Sequence, residues 1–117
     1  MNVINIEKMS KYFEEINDGN MNLNFLSKLD KAREEAGIPF KINSAFRTPE
    51  HNAEVGGKPN SSHLRGLAVD ISVTDSRTRF IVLEALIKVG FNRIGVAKSF
   101  IHVDDDKEKS DKVVWVY

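Results

Sequence analysis

Two short stretches constrain this chain more than anything else in it. Leu67-Ala68-Val69-Asp70-Ile71-Ser72-Val73 and Phe100-Ile101-His102-Val103-Asp104 both alternate with a period of two. That period marks a strand with one buried face. Val69, Ile71 and Val73 share one face of the first stretch, and Ile101 and Val103 one face of the second. The opposite faces carry Ala68, Asp70 and Ser72, and Phe100, His102 and Asp104. Carboxylates and imidazoles are costly to desolvate without partners, yet here they stand where an ordinary strand would carry Thr or Val.

The remaining pattern surrounds these strands with helices. The spacing predicts helices over 6–16, with Met9, Phe13 and Ile16 on one face, and over 22–36, with Leu23, Leu26, Leu29 and Arg33 recurring beside Phe25. Gly37 and Pro39 stop the second. Residues 40–46 read as extended. Thr48 and Pro49 then form an N-cap and first helical position for a short helix that ends near Gly56-Gly57. Residues 58–62 read as loop. A further amphipathic helix spans 76–89, with Phe80, Leu83, Leu86 and Ile87 expected to face inward and Gly90 as its stop. Strands are expected at 93–97, 100–104 and 113–117, with 105–112 a charged turn. The expected fold class is α+β: a mostly antiparallel sheet of about four to five strands packed with helices.

A chain of 117 residues is expected to form one domain over 1–117, able to bury a core without disulfides. The 17 basic and 17 acidic side chains balance, so no charge excess points to nucleic acid. No apolar run has the length of a membrane span, so no membrane insertion is expected. No charged segment followed by a long apolar stretch opens the sequence, so no signal peptide is expected. Synthesis in the cytoplasm is expected, with monomer the favoured state. Cysteine is absent, so any metal site must use nitrogen and oxygen ligands.

His63, Asp70 and His102 supply such ligands. Two imidazoles and one carboxylate hold zinc with one coordination position open. Zinc in that setting lowers the pKa of bound water to about 7 and polarises a carbonyl. His63 and Asp70 lie seven residues apart, too far for neighbouring positions on one helical face. The geometry that fits is a loop ligand, a bend at Gly66, and a strand ligand. Ala68, on the same strand face as Asp70, leaves room above the site. Any one of these residues alone is more often structural; the joint pattern is what points to a metal.

Ser61-x-His63-x-x-Gly66-x-Ala68-x-Asp70, with the later His102-Val103-Asp104, resembles the zinc D-Ala-D-Ala carboxypeptidase family of peptidoglycan peptidases. That family shares a core with the N-terminal hedgehog domain and with lysostaphin-like enzymes. Ser44-Ala45-Phe46-Arg47-Thr48-Pro49-Glu50-His51-Asn52 is similar to the family's Ser-x-x-Arg segment. The similarity covers about residues 22–117 and looks closest to small versions from bacteriophages and prophages. It implies a Zn2+ cofactor held by His63, Asp70 and His102, with Arg47 as the active-site arginine. A planar, permanently charged guanidinium suits an oxyanion or a peptide carboxylate.

The chain departs from the family where a general base is expected. Several relatives place a carboxylate three residues before the last histidine, where this chain has Ser99; others place a second histidine two before it, where this chain has Phe100. Asp104 is the remaining carboxylate on the strand face of His102: either a catalytic base or a group that fixes an imidazole tautomer. His51 reads as exposed or packed at the N-terminal end of its helix, and Asp105 and Asp106 as a solvated turn. Ser61 is expected to hydrogen-bond within the ligand loop at the substrate site. Trp115 is the better groove-lining candidate of the terminal aromatics, although core packing is the commoner use of such residues.

Two functions fit this pattern. One is zinc-dependent hydrolysis of peptidoglycan stem peptides or cross-bridges, as in a phage endolysin acting on the cell wall after release or as part of a virion. The other is a catalytically impaired, zinc-stabilised module that binds cell wall or serves as a phage structural part.

Overall fold

Alternation in the two central stretches becomes a pair of hydrogen-bonded strands at the middle of a five-stranded sheet. The computed structural model describes residues 10–117. In chain order the elements are α1 (Leu23–Ala36), β1 (Ile42–Ser44), α2 (Pro49–Glu54), β2 (Ala68–Ser72), α3 (Ser76–Lys88), β3 (Arg93–Val96), β4 (Phe100–Asp104) and β5 (Val113–Val116), with 3-10 turns at Glu14–Ile16 and Ser62–Arg65. The sheet order is β1-β2-β4-β3-β5. β1–β2, β2–β4 and β4–β3 are antiparallel, whereas β3–β5 is parallel. The fold is therefore α+β with a mixed sheet. The parallel pair arises because the segment after β4 passes the end of β3 and returns on its far side, so β5 opposes β4 and aligns with β3.

Register decides which side chains meet. Asp70 pairs with His102 and Ala68 with Asp104 across β2–β4, and Gly95 pairs with His102 across β3–β4. One sheet face is apolar: Val69, Ile71, Ile94, Ile101 and Val103 are all fully buried. They join Phe25, Leu26 and Leu29 of α1 and Val82 and Leu86 of α3 in the core. The other face carries the chemistry.

Local signals place the helices. Asn22 caps α1 by accepting from the Phe25 N–H at 2.9 Å, and Gly37 ends it in the left-handed region at φ 70°. Thr48 caps α2 by accepting from the His51 N–H at 3.1 Å, with Pro49 at the first helical position.

Three helical expectations are corrected. Of the helix expected over 6–16, residues 6–9 lie outside the described residues. Within the described part only Glu14–Ile16 is helical, because the Asp30 carboxylate captures the Ser10 hydroxyl and the N–H groups of Lys11 and Tyr12. Phe13 is nonetheless buried. On α3, Phe80 is 63% and Ile87 53% exposed, while Val82, Ala85 and Leu86 are buried and Leu83 is partly buried. Phe80 stands two residues from Val82, about 200° around the helix, so the two cannot share the sheet-facing stripe. On α1, Leu23 is 39% exposed and Ala32 takes an inward place instead.

Candidate metal centre

The polar face of β2 and β4 and the 3-10 turn before β2 bring His63, Asp70 and His102 together. One ligand atom from each lies within 4.8 Å of the other two. Asp70 Oδ1 is 3.3 Å from His63 Nε2 and 3.0 Å from His102 Nδ1. The turn is set by Ser61, whose Oγ accepts from the His63 N–H at 3.3 Å, and by Gly66. Gly66 has φ 67°, and a Cβ there would stand 2.1 Å from the Asn20 carbonyl oxygen, so only glycine fits.

Each of the three is oriented by a further partner. His63 Nδ1–H donates to the Ala45 carbonyl at 2.7 Å, which turns Nε2 toward Asp70. His102 Nε2–H donates to Asp104 Oδ2 at 2.7 Å, with Nδ1 turned to Asp70. Asp70 Oδ2 accepts from Arg47 Nη2 at 3.4 Å. Imidazoles fixed through their outer nitrogen and a carboxylate steadied on its other oxygen fit a divalent metal of the zinc type.

Electrostatics follow from these contacts. Burial alone would raise the Asp70 pKa, but hydrogen bonds from His102 and His63 outweigh it and hold the carboxyl well below its usual range. Burial alone would lower the His102 pKa, but Asp104 and Asp70 on its two nitrogens raise it. Asp104 is also lowered: burial opposes this, while His102 and Arg93 favour the carboxylate.

Arg47 and Asp104 occupy distinct positions. The Arg47 guanidinium reaches the groove held by Ser44 Oγ at 3.0 Å and Asn52 Oδ1 at 3.3 Å. Asp104 has both oxygens engaged, Oδ2 with His102 and Oδ1 with Arg93 Nε at 2.7 Å. Its side chain is 1% exposed. Trp115 lies over the site, its ring centroid 5.5 Å from that of His102. Both line a groove of about 580 Å³ together with Arg47, Lys58, Ser61 and Tyr117. His51 is exposed on α2, near Glu54 and away from this groove.

Several contributors escaped the sequence reading. Asn52 is 3% exposed; it accepts from Arg47 and donates from Nδ2 to the Lys58 carbonyl at 2.8 Å. Gly57 makes room for it, since a Cβ there would meet Asn52 Oδ1 at 2.0 Å. The Gly56-Gly57 pair was the available signal. Asp106 overturns the expectation of a solvated turn: it is 2% exposed and accepts from the Ser62 hydroxyl at 2.6 Å and from Arg65. Lys109 reaches the same pair, donating to Ser62 Oγ at 3.0 Å. In a run of charged residues, nothing local distinguishes the one that folds inward.

The fold and this cluster define a class: an α+β protein whose sheet gathers two imidazoles and a carboxylate in the manner of metal-dependent hydrolases. A family model for Peptidase M15 matches residues 2–104, and the chain belongs to that family. No curated protein matches the chain. Among the described residues, no helix is long and apolar enough to cross a membrane.

Proposed function

We propose that this protein hydrolyses peptide bonds in the stem peptides or cross-bridges of peptidoglycan, with Zn2+ held by His63, Asp70 and His102. The observation that carries the reading is the convergence of those three side chains, each braced by its own outer partner. Zinc there supplies a Lewis acid that acidifies water and polarises a carbonyl. The chain's own residues do the rest. His63 and His102 present fixed nitrogen donors. Arg47, steadied by Ser44 and Asn52, offers a cation on the groove wall to a substrate carboxylate or a developing oxyanion. Trp115 supplies an apolar wall, and Ser61 shapes the loop that carries His63. Asp104 is the group that fixes the His102 tautomer, since both its oxygens are already in use. The reading places the protein at the cell wall, after release from the cell that makes it or as part of a virion.

A second reading rests on a specific observation. Ser99 and Phe100 stand where relatives carry a base, and Asp104 is occupied with His102 and Arg93. A zinc-stabilised module that binds cell-wall peptide without turnover fits those facts.

One experiment separates the two. Purified protein is loaded with zinc, incubated with peptidoglycan with and without a chelator, and the products are read by mass spectrometry. Chelator-sensitive release of peptides or free amino acids supports hydrolysis. Intact substrate with zinc fully bound favours the binding module.

A further inference from the structure

Gly95 sits in the interior of β3, where glycine is unfavourable because it packs nothing and is floppy when unfolded. Its backbone does not require glycine. Gly37 and Gly66 have positive φ, and Gly95 does not. The reason for glycine is therefore space. Gly95 pairs with His102 on one side and with Trp115 on the other. The three form one row across the sheet, on the face that carries the metal cluster. A Cβ at position 95 would stand 2.4 Å from Trp115 Nε1, 2.6 Å from Trp115 Cε2 and 2.8 Å from Tyr117 Cε2. The Trp115 indole lies back across the strand in the place a side chain would fill. From there its ring reaches His102 at 5.5 Å and stacks under the Arg93 guanidinium, with Cζ 5.2 Å from the ring centroid. Tyr117 extends the same surface, 6.4 Å from Trp115 and 5.1 Å from Phe100, and all three rings line the groove.

We propose that Gly95 is a positioning residue for the metal centre: by carrying no side chain it seats the Trp115 indole against His102, and the seated indole is the apolar surface on which the substrate peptide packs. The substrate half rests on the peptidase reading above. The seat itself does not. Arg47, Lys58, Arg93 and Lys109 line the same groove, so it combines aromatic rings with cationic side chains. That combination suits a peptide that sets an aliphatic side chain against the indole.

Trp115 is the single tryptophan of the chain, so its emission reports the seat directly. The full chain, freed of metal, is titrated with Zn2+ and with Co2+ while emission is recorded for wild type and Gly95→Ala. Wild-type emission is expected to respond to both ions. Gly95→Ala is expected to start red-shifted, with the indole pushed into solvent, and to respond far less. A Gly95→Ala protein with the wild-type spectrum and the wild-type metal response overturns the seat. In steady-state cleavage of a stem peptide, Gly95→Ala is expected to raise KM about three- to tenfold with kcat little changed, the scale of one lost aromatic contact. A merely structural glycine would lower the melting temperature without moving KM of the folded protein. Should Gly95→Ala fail to fold, Trp115→Ala and Trp115→Phe carry the test. The first is expected to raise KM and the second to recover most of the loss; a wild-type KM in Trp115→Ala overturns the substrate half. If wild type cleaves no peptide, the peptidase reading falls together with the substrate half, and the emission titration still decides the seat.

Discussion

Asp104 and His102 form a directed pair: Nε2–H of the imidazole donates to Oδ2 of the carboxylate at 2.7 Å, while Nδ1 faces Asp70 at 3.0 Å. The imidazole is thereby committed, one nitrogen to Asp104 and one to Asp70. Both residues sit on β4 two positions apart, so the strand itself holds them on one face.

This pairing predicts the outcome of changing Asp104. Asp104→Asn should weaken zinc binding roughly 10- to 100-fold, the usual cost of losing a carboxylate behind a metal-binding histidine. Competition against a chromophoric chelator measures it. If Asp104 served only as a base, zinc affinity would hold while turnover collapsed.

Metal-free stability should depend on pH through the same contacts. His102 has a raised pKa in the fold, so its contribution is full below the ordinary value of 6.5 and is lost as pH rises through the higher folded pKa. Asp70 has a lowered pKa, so its contribution is full above the ordinary 3.8 and is lost as pH falls. The metal-free protein should therefore melt highest between these two values and lower as pH rises through the raised His102 pKa. Zinc reverses the upper trend, because binding requires His102 Nδ1 to lose its proton. Melting curves across pH, with zinc and with chelator, check both slopes; parallel slopes would contradict the assignment of His102.

Arg47 should act through charge and shape rather than through the fold. Arg47→Lys keeps the charge but not the fork that Ser44 and Asn52 hold. On the peptidase reading, kcat should fall about 10²- to 10³-fold, as when an oxyanion donor is removed, with zinc content unchanged. Asn52→Ala should reproduce part of that loss. Kinetics paired with metal analysis settle it, and wild-type kcat in Arg47→Lys would exclude the role.

Asp106 should prove structural. Its carboxylate joins the segment after β4 to Ser62 and Arg65, which flank His63. Asp106→Ala leaves the buried Ser62 hydroxyl without that acceptor and should cost about 1–3 kcal/mol. Urea denaturation reads this directly. An unchanged midpoint would mean that the buried contacts contribute nothing net.

Much of the fold is legible in the sequence alone. The alternation in 67–73 and 100–104 gives strands whose apolar inner face is the one expected, because a two-residue period leaves only one choice of that face, although Ala68, His102 and Asp104 on the opposite face are buried as well. Thr48-Pro49 and Gly37 mark helix ends through local hydrogen bonding and backbone sterics. Helix faces were less legible. Phe80 and Ile87 are as apolar as Val82 and Leu86, and only the direction from which the sheet approaches α3 separates them. The parallel β3–β5 pair was likewise hidden, since residue types in a short strand do not encode which side of a neighbour the chain returns to.

The candidate site divides along the same line. His63, Asp70, His102 and Arg47 were readable as chemistry, because such side chains are costly in a strand-rich segment without partners. Their partners were not: the Ala45 carbonyl, Asn52, Arg93 and buried Asp106 come from elements brought together only by folding. By itself the sequence determined the secondary structure of the central strands and the set of candidate ligands, since both follow from local periodicity and side-chain type. Tertiary structure alone decided that Asp104 faces the outer nitrogen of His102, that Asp106 is buried, and that Gly95 makes room for Trp115. Those outcomes depend on strand register and on which surfaces pack, which are long-range properties no single stretch of sequence carries.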